Sequence, residues 1–456
     1  MKKKWKIILI GILIAHLSLL IYLKFTAWPE MTLWPYLITK GWLPYRDIAI
    51  AHTPLILIKL AVFYKIFGTG ILQLKIFTWL IILLFDGMVF AIAKKLWNIK
   101  TAFVALCTFV LWTLFFDGNG LWFDLFMGAI AFVSFYFIQK KNFLWAGVFW
   151  AAAFVSKQTA VWFLLPIGLE LTTSSKHLGR KFKEFITGIL SVFIPAILIL
   201  WIVGILPDFY NWAIKFGIFI LPRSSGQLQP PDLKSLAGAL FPFLIFIPLI
   251  WKTGRKNINL LIWTFAGALG AYPRFEFFHF QPAIPFLAIA ISQLASMVKK
   301  PDKLMKLFIP VYLLGSVCLF GGFFIRSYKE GTRFYETNVS DIVTFVNYNT
   351  KPGDKIFVMN WWDNIYALSD TLPAVDPWIP QLSWYMEIPG IEEKMVNDLR
   401  TNSPKLIIYN PYTESGLSAY IPQKLYNYVI ENYRLSQKID GVEILVRNQY
   451  AYSNLK

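Results

Sequence analysis

The chain has 456 residues, of which 57% are hydrophobic and only 15% charged, a balance far from that of soluble proteins. Lys and Arg outnumber Asp and Glu by 44 to 26, a net charge of +18. The basic residues fall in short clusters between apolar runs, as cytoplasmic loops do under the positive-inside rule, so the charge reads as a topology signal and argues against a nucleic-acid partner. Cys107 and Cys318 both lie inside apolar runs, which excludes a disulfide framework and a thiolate metal site.

The N-terminal MKKKWK leads into an apolar run reaching about Phe25. The run is too long for a cleaved leader and lacks a small-residue cleavage site, so it is expected to be a first span with its N-terminus in the cytoplasm. Further runs long enough to cross a bilayer lie near 71–93, 101–116, 121–138, 143–156, 158–173, 185–204, 237–251, 258–272, 281–298 and 306–325, giving eleven spans in all. The loops that fall on the cytoplasmic side carry Lys94, Lys95 and Lys100; Lys140 and Lys141; Lys176, Arg180, Lys181 and Lys183; Lys252, Arg255 and Lys256; and Lys299, Lys300, Lys303 and Lys306. The segment Pro54–Gly68 is apolar but short and interrupted by Lys59 and Lys65. Counting it as a span would invert every later loop, so it is expected to lie in the outer interface as a helix. Asp86, inside the second span, reads as one side of a helix–helix hydrogen bond.

The outward side then receives residues 26–53, 117–124, the Ser156–Gln158 turn, 205–236, 273–280 and everything after about Arg326. Within the tail, helical patterns near 341–349, 391–401 and 421–433 alternate with the β-rich runs 355–359, 405–409 and 442–446. The expected fold is therefore an α-helical polytopic membrane protein of about eleven spans, residues 1–330, followed by a small extracytoplasmic α/β domain, residues 331–456. Trp361, Trp362, Trp378 and Trp384 in the tail are expected either to pack in its core or to stack on sugars.

The first outer loop holds two carboxylates near the membrane surface, Glu30 and Asp47. A sugar transfer from a polyprenyl phosphate needs a base for the acceptor proton, whereas its phosphate leaving group needs no acid, so one placed carboxylate suffices. The alternative is two ordinary loop carboxylates, with Asp47 paired to Arg46 or Arg274. Between the ninth and tenth spans, Arg274, Glu276 and His279 are confined to nine residues otherwise mostly aromatic, which suits a phosphate or sugar site or, alternatively, an anchored aromatic belt. Glu30, Asp47 and Asp124 are candidate oxygen ligands for a divalent Mg, Mn or Ca ion beside a phosphate. No GxxxxGK loop, dinucleotide fingerprint or HExxH helix is present, so nucleotide-driven transport and zinc proteolysis lack support.

The run Pro29-Glu30, Gly41, Tyr45-Arg46-Asp47, His52-Thr53-Pro54-Leu55 and Phe67-Gly68 resembles the opening of the GT-C glycosyltransferases, in particular the protein mannosyltransferase and aminoarabinose transferase branch. Glu30 stands alone where that pattern often has Asp-Glu, and Thr53 replaces its first proline. Gly120–Asp124 resembles the family's acidic start of the fourth span, and Ser156-Lys157-Gln158 its Thr-Lys-Gly turn. Arg274 and His279 match residue types often found at that point in related bacterial enzymes. The resemblance covers about residues 1–330. It implies an enzyme that transfers a sugar from a polyprenyl-phosphate donor to a protein, lipid or glycan on the outer face of the cell membrane, with inversion. Asp47 or Glu30 would be the base, while His52, Lys157, Gln158, Arg274, Glu276, His279 and Asp124 would bind the donor phosphate or substrate. A lipid-linked-oligosaccharide flippase or transporter would place more polar residues deep in its spans or show an internal repeat. An O-antigen polymerase or ligase would centre on one large late loop, of which 205–236 is a weak counterpart.

Overall fold

A computed structural model describes residues 2–172, 177–224, 228–253, 258–297, 303–378, 383–386, 388–413 and 421–448. Of the basic loop residues, Lys176, Arg255, Lys256, Lys299 and Lys300 lie outside these, as does the side chain of Trp384.

Helices occupy all eleven expected span positions. Six are long and apolar enough to cross a bilayer unaided: Lys3–Tyr22, Ile71–Leu96, Leu178–Ile202, Leu233–Thr253, Phe277–Ser296 and Met305–Ser327. Ile99–Phe115, Phe123–Gln139, Phe143–Phe154 and Ile258–Ala271 are shorter apolar helices, and Gln158–Phe163 continues into Leu164–Thr172 as the sixth span. Helices suit these stretches because each backbone polar group in lipid must be satisfied within its own segment. At one end of the bundle the third and fifth spans are capped by side chains: Asn98 accepts from the N–H groups of Lys100 and Thr101, and Asn142 from that of Trp145. The expected link at Asp86 is present: its Oδ2 lies 2.6 Å from Nδ1 of His16 in the first span, both side chains fully buried.

The fifth and seventh spans cross closely because Gly147 and Gly188 face each other. A Cβ at Gly147 would collide with the Phe185 carbonyl, and one at Gly188 with the Leu144 carbonyl. Small residues at such crossings let backbones approach in a medium that gives no hydrophobic drive between helices.

Leu55–Phe67 is a helix, as expected of the interfacial segment. Ile56, Leu57, Leu60, Ala61 and Tyr64 are buried, while Ile58, Val62 and Ile66 face outward. Gly68 ends it at φ +84°, its N–H donating to the Tyr64 carbonyl. A conformation of that sign is strained for residues with a Cβ.

The polar segments assigned to one side do meet at one end of the bundle. Strand β1 (Phe25–Thr26) runs parallel to β2 (Thr332–Arg333), and Thr26 also bridges to Gly120. Gln229 bridges to Arg274. The tail carries a five-stranded sheet of β3 (Lys355–Met359), β4 (Leu372–Pro373), β5 (Leu406–Tyr409), β6 (Tyr433–Ile439) and β7 (Val442–Arg447), ordered β4-β3-β5-β7-β6. β3 is parallel to β4 and β5, and β7 is antiparallel to β5 and β6. The central strands β3 and β5 are apolar and buried almost throughout, as parallel strands covered on both faces are. β6 lies at the edge and exposes Arg434 and Lys438, charges that discourage pairing with another chain.

The tail does not sit apart from the first loop. One continuous buried cluster contains Met31, Leu37 and Ile48 of the loop together with Val343, Ile365 and Trp378 of the tail. The hydroxyl of Tyr36 donates to the Thr371 carbonyl and to Asp370, both at 3.0 Å.

Enlarging either crossing glycine forces the fifth and seventh spans apart. Gly147→Val and Gly188→Val are each expected to lower stability by roughly 1–3 kcal/mol. Gly87→Ala, whose added Cβ meets nothing within 4 Å, serves as a control and leaves the melting temperature of the detergent-solubilised protein unchanged.

Candidate active site at the tail end of the bundle

Three charged or basic side chains from distant parts of the chain converge just inside the apolar bundle. Asp124 stands in the first turn of the fourth span, Lys157 in the turn between the fifth and sixth, and His279 at the start of the tenth. The Lys157 ammonium is 2.5 Å from Asp124 Oδ2 and 3.2 Å from His279 Nδ1, and that nitrogen is 3.0 Å from the same Oδ2. Asp124 is fully buried, Lys157 exposes 3% and His279 12% of its side chain. Removing two charges from water costs several kcal/mol apiece, and only close pairing repays it. Asp124 Oδ1 is also buried and has no hydrogen-bond partner among the described residues.

The loop bearing His52 is fastened over this cluster. Gln158 Nε2 donates to the carbonyls of Ala51 (2.6 Å) and Ala213 (2.9 Å), Thr53 Oγ1 donates to the Phe154 carbonyl (2.9 Å) and Leu55 N to that of Val155 (3.1 Å). Gly217 packs against the Ala51 carbonyl where no Cβ would fit. The His52 ring rests 4.6 Å from that of Phe123. Burial, aided by the neighbouring Lys157 charge, pushes His52 down to about 3, so it is a neutral imidazole able to donate one hydrogen bond.

Glu30 lies in the first turn of the helix Pro29–Thr39, whose start is set by Pro29 at its first position. One carboxylate oxygen, Oε2, is enclosed and has no hydrogen-bond partner among the described residues. Burial, and next to it the Asp363 carboxylate of the tail, push Glu30 up to about 7, against the pull of Arg274. Arg274 pairs loosely with Glu276 at 3.6 Å, while its Nε is buried without a partner among the described residues. Trp28, the residue before this helix, packs with Trp122 and Phe278 in an aromatic cluster, with ring centroids 5.0–5.5 Å apart.

The sequence candidates therefore divide. Asp124, Lys157, His279, His52 and Gln158 are brought together, and Glu30, Arg274 and Glu276 border them. Asp47 is turned elsewhere: its Oδ2 accepts from Leu43 N at 2.7 Å, and it lines a cavity of about 430 Å³ against Asp376 and Lys394 of the tail. Neither expected arginine partner is engaged with Asp47, since Arg46 pairs with Asp208 at 3.1 Å and Arg274 with Glu276. Glu30, Asp47 and Asp124 do not form a shared cation site. Among the described residues no three His, Cys, Asp or Glu side chains are placed to hold a metal ion, and Asp124 Oδ2 is taken up by the ammonium and the imidazole. Of the tail tryptophans, Trp378 is fully buried in the core, while Trp362 is 38% exposed. Asp117, which burial raises to about 6, and Asp363 went unnoticed in the sequence because neither sits in a recognisable motif.

The overall arrangement matches solved structures over nearly its whole length. ArnT from Cupriavidus metallidurans bound to undecaprenyl phosphate aligns over 98% of this chain and 98% of its own at a TM-score of 0.64 and 12% identity. The chain has the GT-C fold. The oligosaccharyltransferase of Archaeoglobus fulgidus, tethered with an acceptor peptide containing the NVT sequon, aligns over 98% of this chain and 74% of its own, TM-score 0.54, identity 13%. The archaeal oligosaccharyltransferase AglB from Archaeoglobus fulgidus, in complex with an inhibitory peptide and a dolichol-phosphate, gives a TM-score of 0.52 at 12% identity, over 98% of this chain and 75% of its own. No protein-family model matches the chain, and no curated protein matches it by sequence.

Removing one member of the buried pair strands the other. Lys157→Met and Asp124→Asn are each expected to destabilise the protein by about 3–5 kcal/mol, while the double variant recovers a large part of that loss. Thermal unfolding of the four proteins in detergent measures this directly.

Proposed function

We propose that this protein is a membrane glycosyltransferase that takes a sugar from a polyprenyl-phosphate donor and transfers it, with inversion, to an acceptor on the extracytoplasmic face of the cell membrane. The observation that carries this reading is the Lys157 ammonium, held by Asp124 and His279 at the boundary of the bundle and approached by the neutral His52. A fixed cation with a neutral donor beside it suits a phosphate that gains charge as its sugar departs. The solved relatives holding undecaprenyl phosphate or dolichol-phosphate support the same donor class. The basic residues Lys94, Lys140 and Lys141 lie at the bundle end opposite the tail, which supports placing the tail outside.

In the proposed reaction Glu30 removes the proton from the acceptor hydroxyl or amide. The acceptor atom attacks the anomeric carbon from the side opposite the phosphate, the carbon–oxygen bond to phosphate breaks, and polyprenyl phosphate leaves with its charge facing Lys157 and Arg274. In the aromatic cluster, the half-buried Trp28 and Trp122 offer surface against which a sugar ring stacks. Residues 1–330 carry this chemistry, and 331–456 close the site from above and meet the acceptor, which is a protein, a lipid or a glycan.

Incubating the purified protein with a panel of polyprenyl-phosphate sugars and measuring sugar release or transfer tests the reading. Wild type consumes at least one donor, and Glu30→Gln loses about 100-fold or more of that turnover while still binding undecaprenyl phosphate. Because Glu30 accepts a proton only when ionised, turnover rises as pH passes through about 7. Turnover by Glu30→Gln at the wild-type rate would remove Glu30 from the role.

A further inference from the structure

Two lysines that the proposed reaction does not use meet in a separate cavity at the tail end of the bundle. The cavity holds about 290 Å³, and its lining includes Leu20, Tyr22, Phe25, Lys75, Trp79 and Lys329. None of its lining residues belongs to the Lys157 cluster. Lys75 lies four residues into the second span, about 6 Å from the first residue at the usual helical rise. Lys329 stands two residues beyond the end of the eleventh span, Lys303–Ser327. The cavity thus takes one lysine from just inside a span and one from just outside another, which is the depth of lipid headgroups.

Hydrogen bonds fix the walls. Where the first and eleventh spans end, Leu23 bridges to Tyr328, Lys329 N donates to the Tyr22 carbonyl at 2.9 Å, and Lys24 N to that of Ser327 at 2.7 Å. Phe25 N donates to the Gly331 carbonyl at 3.1 Å. The buried Phe25 ring then lies under the Lys75 ammonium, 5.5 Å from ring centroid to Nζ. On the opposite wall Trp79 Nε1 donates to Asn119 Oδ1 at 3.0 Å, and Asn119 Nδ2 donates to the Leu20 carbonyl at 2.8 Å. The concavity is therefore built before any ligand arrives.

Its two cations lack a counterion. Lys40, Lys157 and Lys394 each lie within 4 Å of a carboxylate, whereas Lys75 and Lys329 have none at that distance among the described residues. Glu330, beside Lys329 in the chain, is exposed and pairs with neither. Lys75 is half-buried, its ammonium over a buried ring, while a lysine that only snorkelled would hold its charge out in water. Ile7, Ile10, Ile14 and Ile21 repeat at helical spacing along one exposed face of the first span, and Ile21 also lines the cavity. A phosphate in the cavity would have acyl chains beside that face. We propose that this cavity binds the phosphate of one anionic phospholipid from the leaflet on the tail side, held by Lys75 and Lys329. Such a lipid links the second span to the segment that leads into the tail, because each lysine belongs to one of them. The site is independent of the sugar transfer proposed above, and needs only that the chain crosses a bilayer.

Native mass spectrometry of the full-length protein, released from detergent micelles containing dioleoyl phosphatidylglycerol or dioleoyl phosphatidylcholine, counts the lipid retained. Wild type is expected to keep one phosphatidylglycerol in preference to phosphatidylcholine. Lys75→Gln and Lys329→Gln each weaken that retention about 5-fold, and the double variant about 20-fold or more. Because Lys329 is exposed, Lys329→Gln carries the test if Lys75→Gln folds poorly. The control is Lys59→Gln with Lys65→Gln, which removes two exposed lysines of the interfacial helix outside the cavity and leaves retention at the wild-type level. Undiminished retention by the cavity double variant, or no preference over phosphatidylcholine, overturns the site. So does an equal loss in the control, which would mean only a general attraction to anionic headgroups. Two competitors identify the source of the phosphate. Millimolar inorganic phosphate and equimolar undecaprenyl phosphate are both expected to leave the phosphatidylglycerol in place. Displacement by the first would make this a free-anion site, and displacement by the second a polyprenyl-phosphate site, and either result overturns the assignment to a phospholipid.

Discussion

Everything at the tail end of the bundle is arranged around the ion pair between Lys157 and Asp124. The pair ties the fourth span to the turn after the fifth, and His279 brings in the tenth. Because both charges are buried, neither tolerates displacement, and the three helix ends are held in a fixed relation. Gln158, next to Lys157, then fastens the His52 loop through two backbone carbonyls, so the first outer loop takes its position from the same turn. The remaining layers follow outward: the interfacial helix Leu55–Phe67 leaves from that loop, the helix Pro29–Thr39 packs on it, and the tail sheet closes over both.

The resulting site has two unlike halves. On the membrane side, a fixed cation and a neutral imidazole offer a place for a phosphate. On the tail side, the proposed reading takes Glu30 as the base and the neighbouring aromatic cluster as a stacking surface. A reaction in which a phosphate leaves on one side of a sugar while an acceptor arrives on the other would use such a division. The boundary between membrane half and tail therefore belongs to the site, since the apolar cluster joining Met31 to Trp378 is continuous across it.

Much of the architecture was legible in the sequence because a bilayer imposes simple length and charge rules. All eleven apolar runs are helical, several of them as joined α and 3-10 pieces, and the shortness of Pro54–Gly68, with Lys59 and Lys65 inside it, marked that segment as something other than a span. Strands 355–359 and 442–446 were visible as β-branched apolar runs. Convergence was not visible: Lys157 lies 33 residues from Asp124 and 122 from His279, and contacts between spans leave no periodicity in any one of them. Family resemblance suggested Lys157 and Asp124 singly but not their pairing. Asp47 looked equivalent to Glu30 because both are acidic residues in one loop, yet the turn at Leu43–Asp47 directs Asp47 towards the tail surface. Asp363 gave no signal at all, since its burial comes from tertiary packing against a helix more than 300 residues earlier in the chain.

In the proposed reading a lipid-linked phosphate binds at the Lys157 cluster. A cryo-electron microscopy structure of the protein with undecaprenyl phosphate tests it most directly. The phosphate is expected within hydrogen-bonding reach of Lys157 Nζ and the His52 ring, with the polyprenyl tail leaving between spans. A phosphate resolved at the opposite end of the bundle, or only in the cavity beside Asp47, would contradict it.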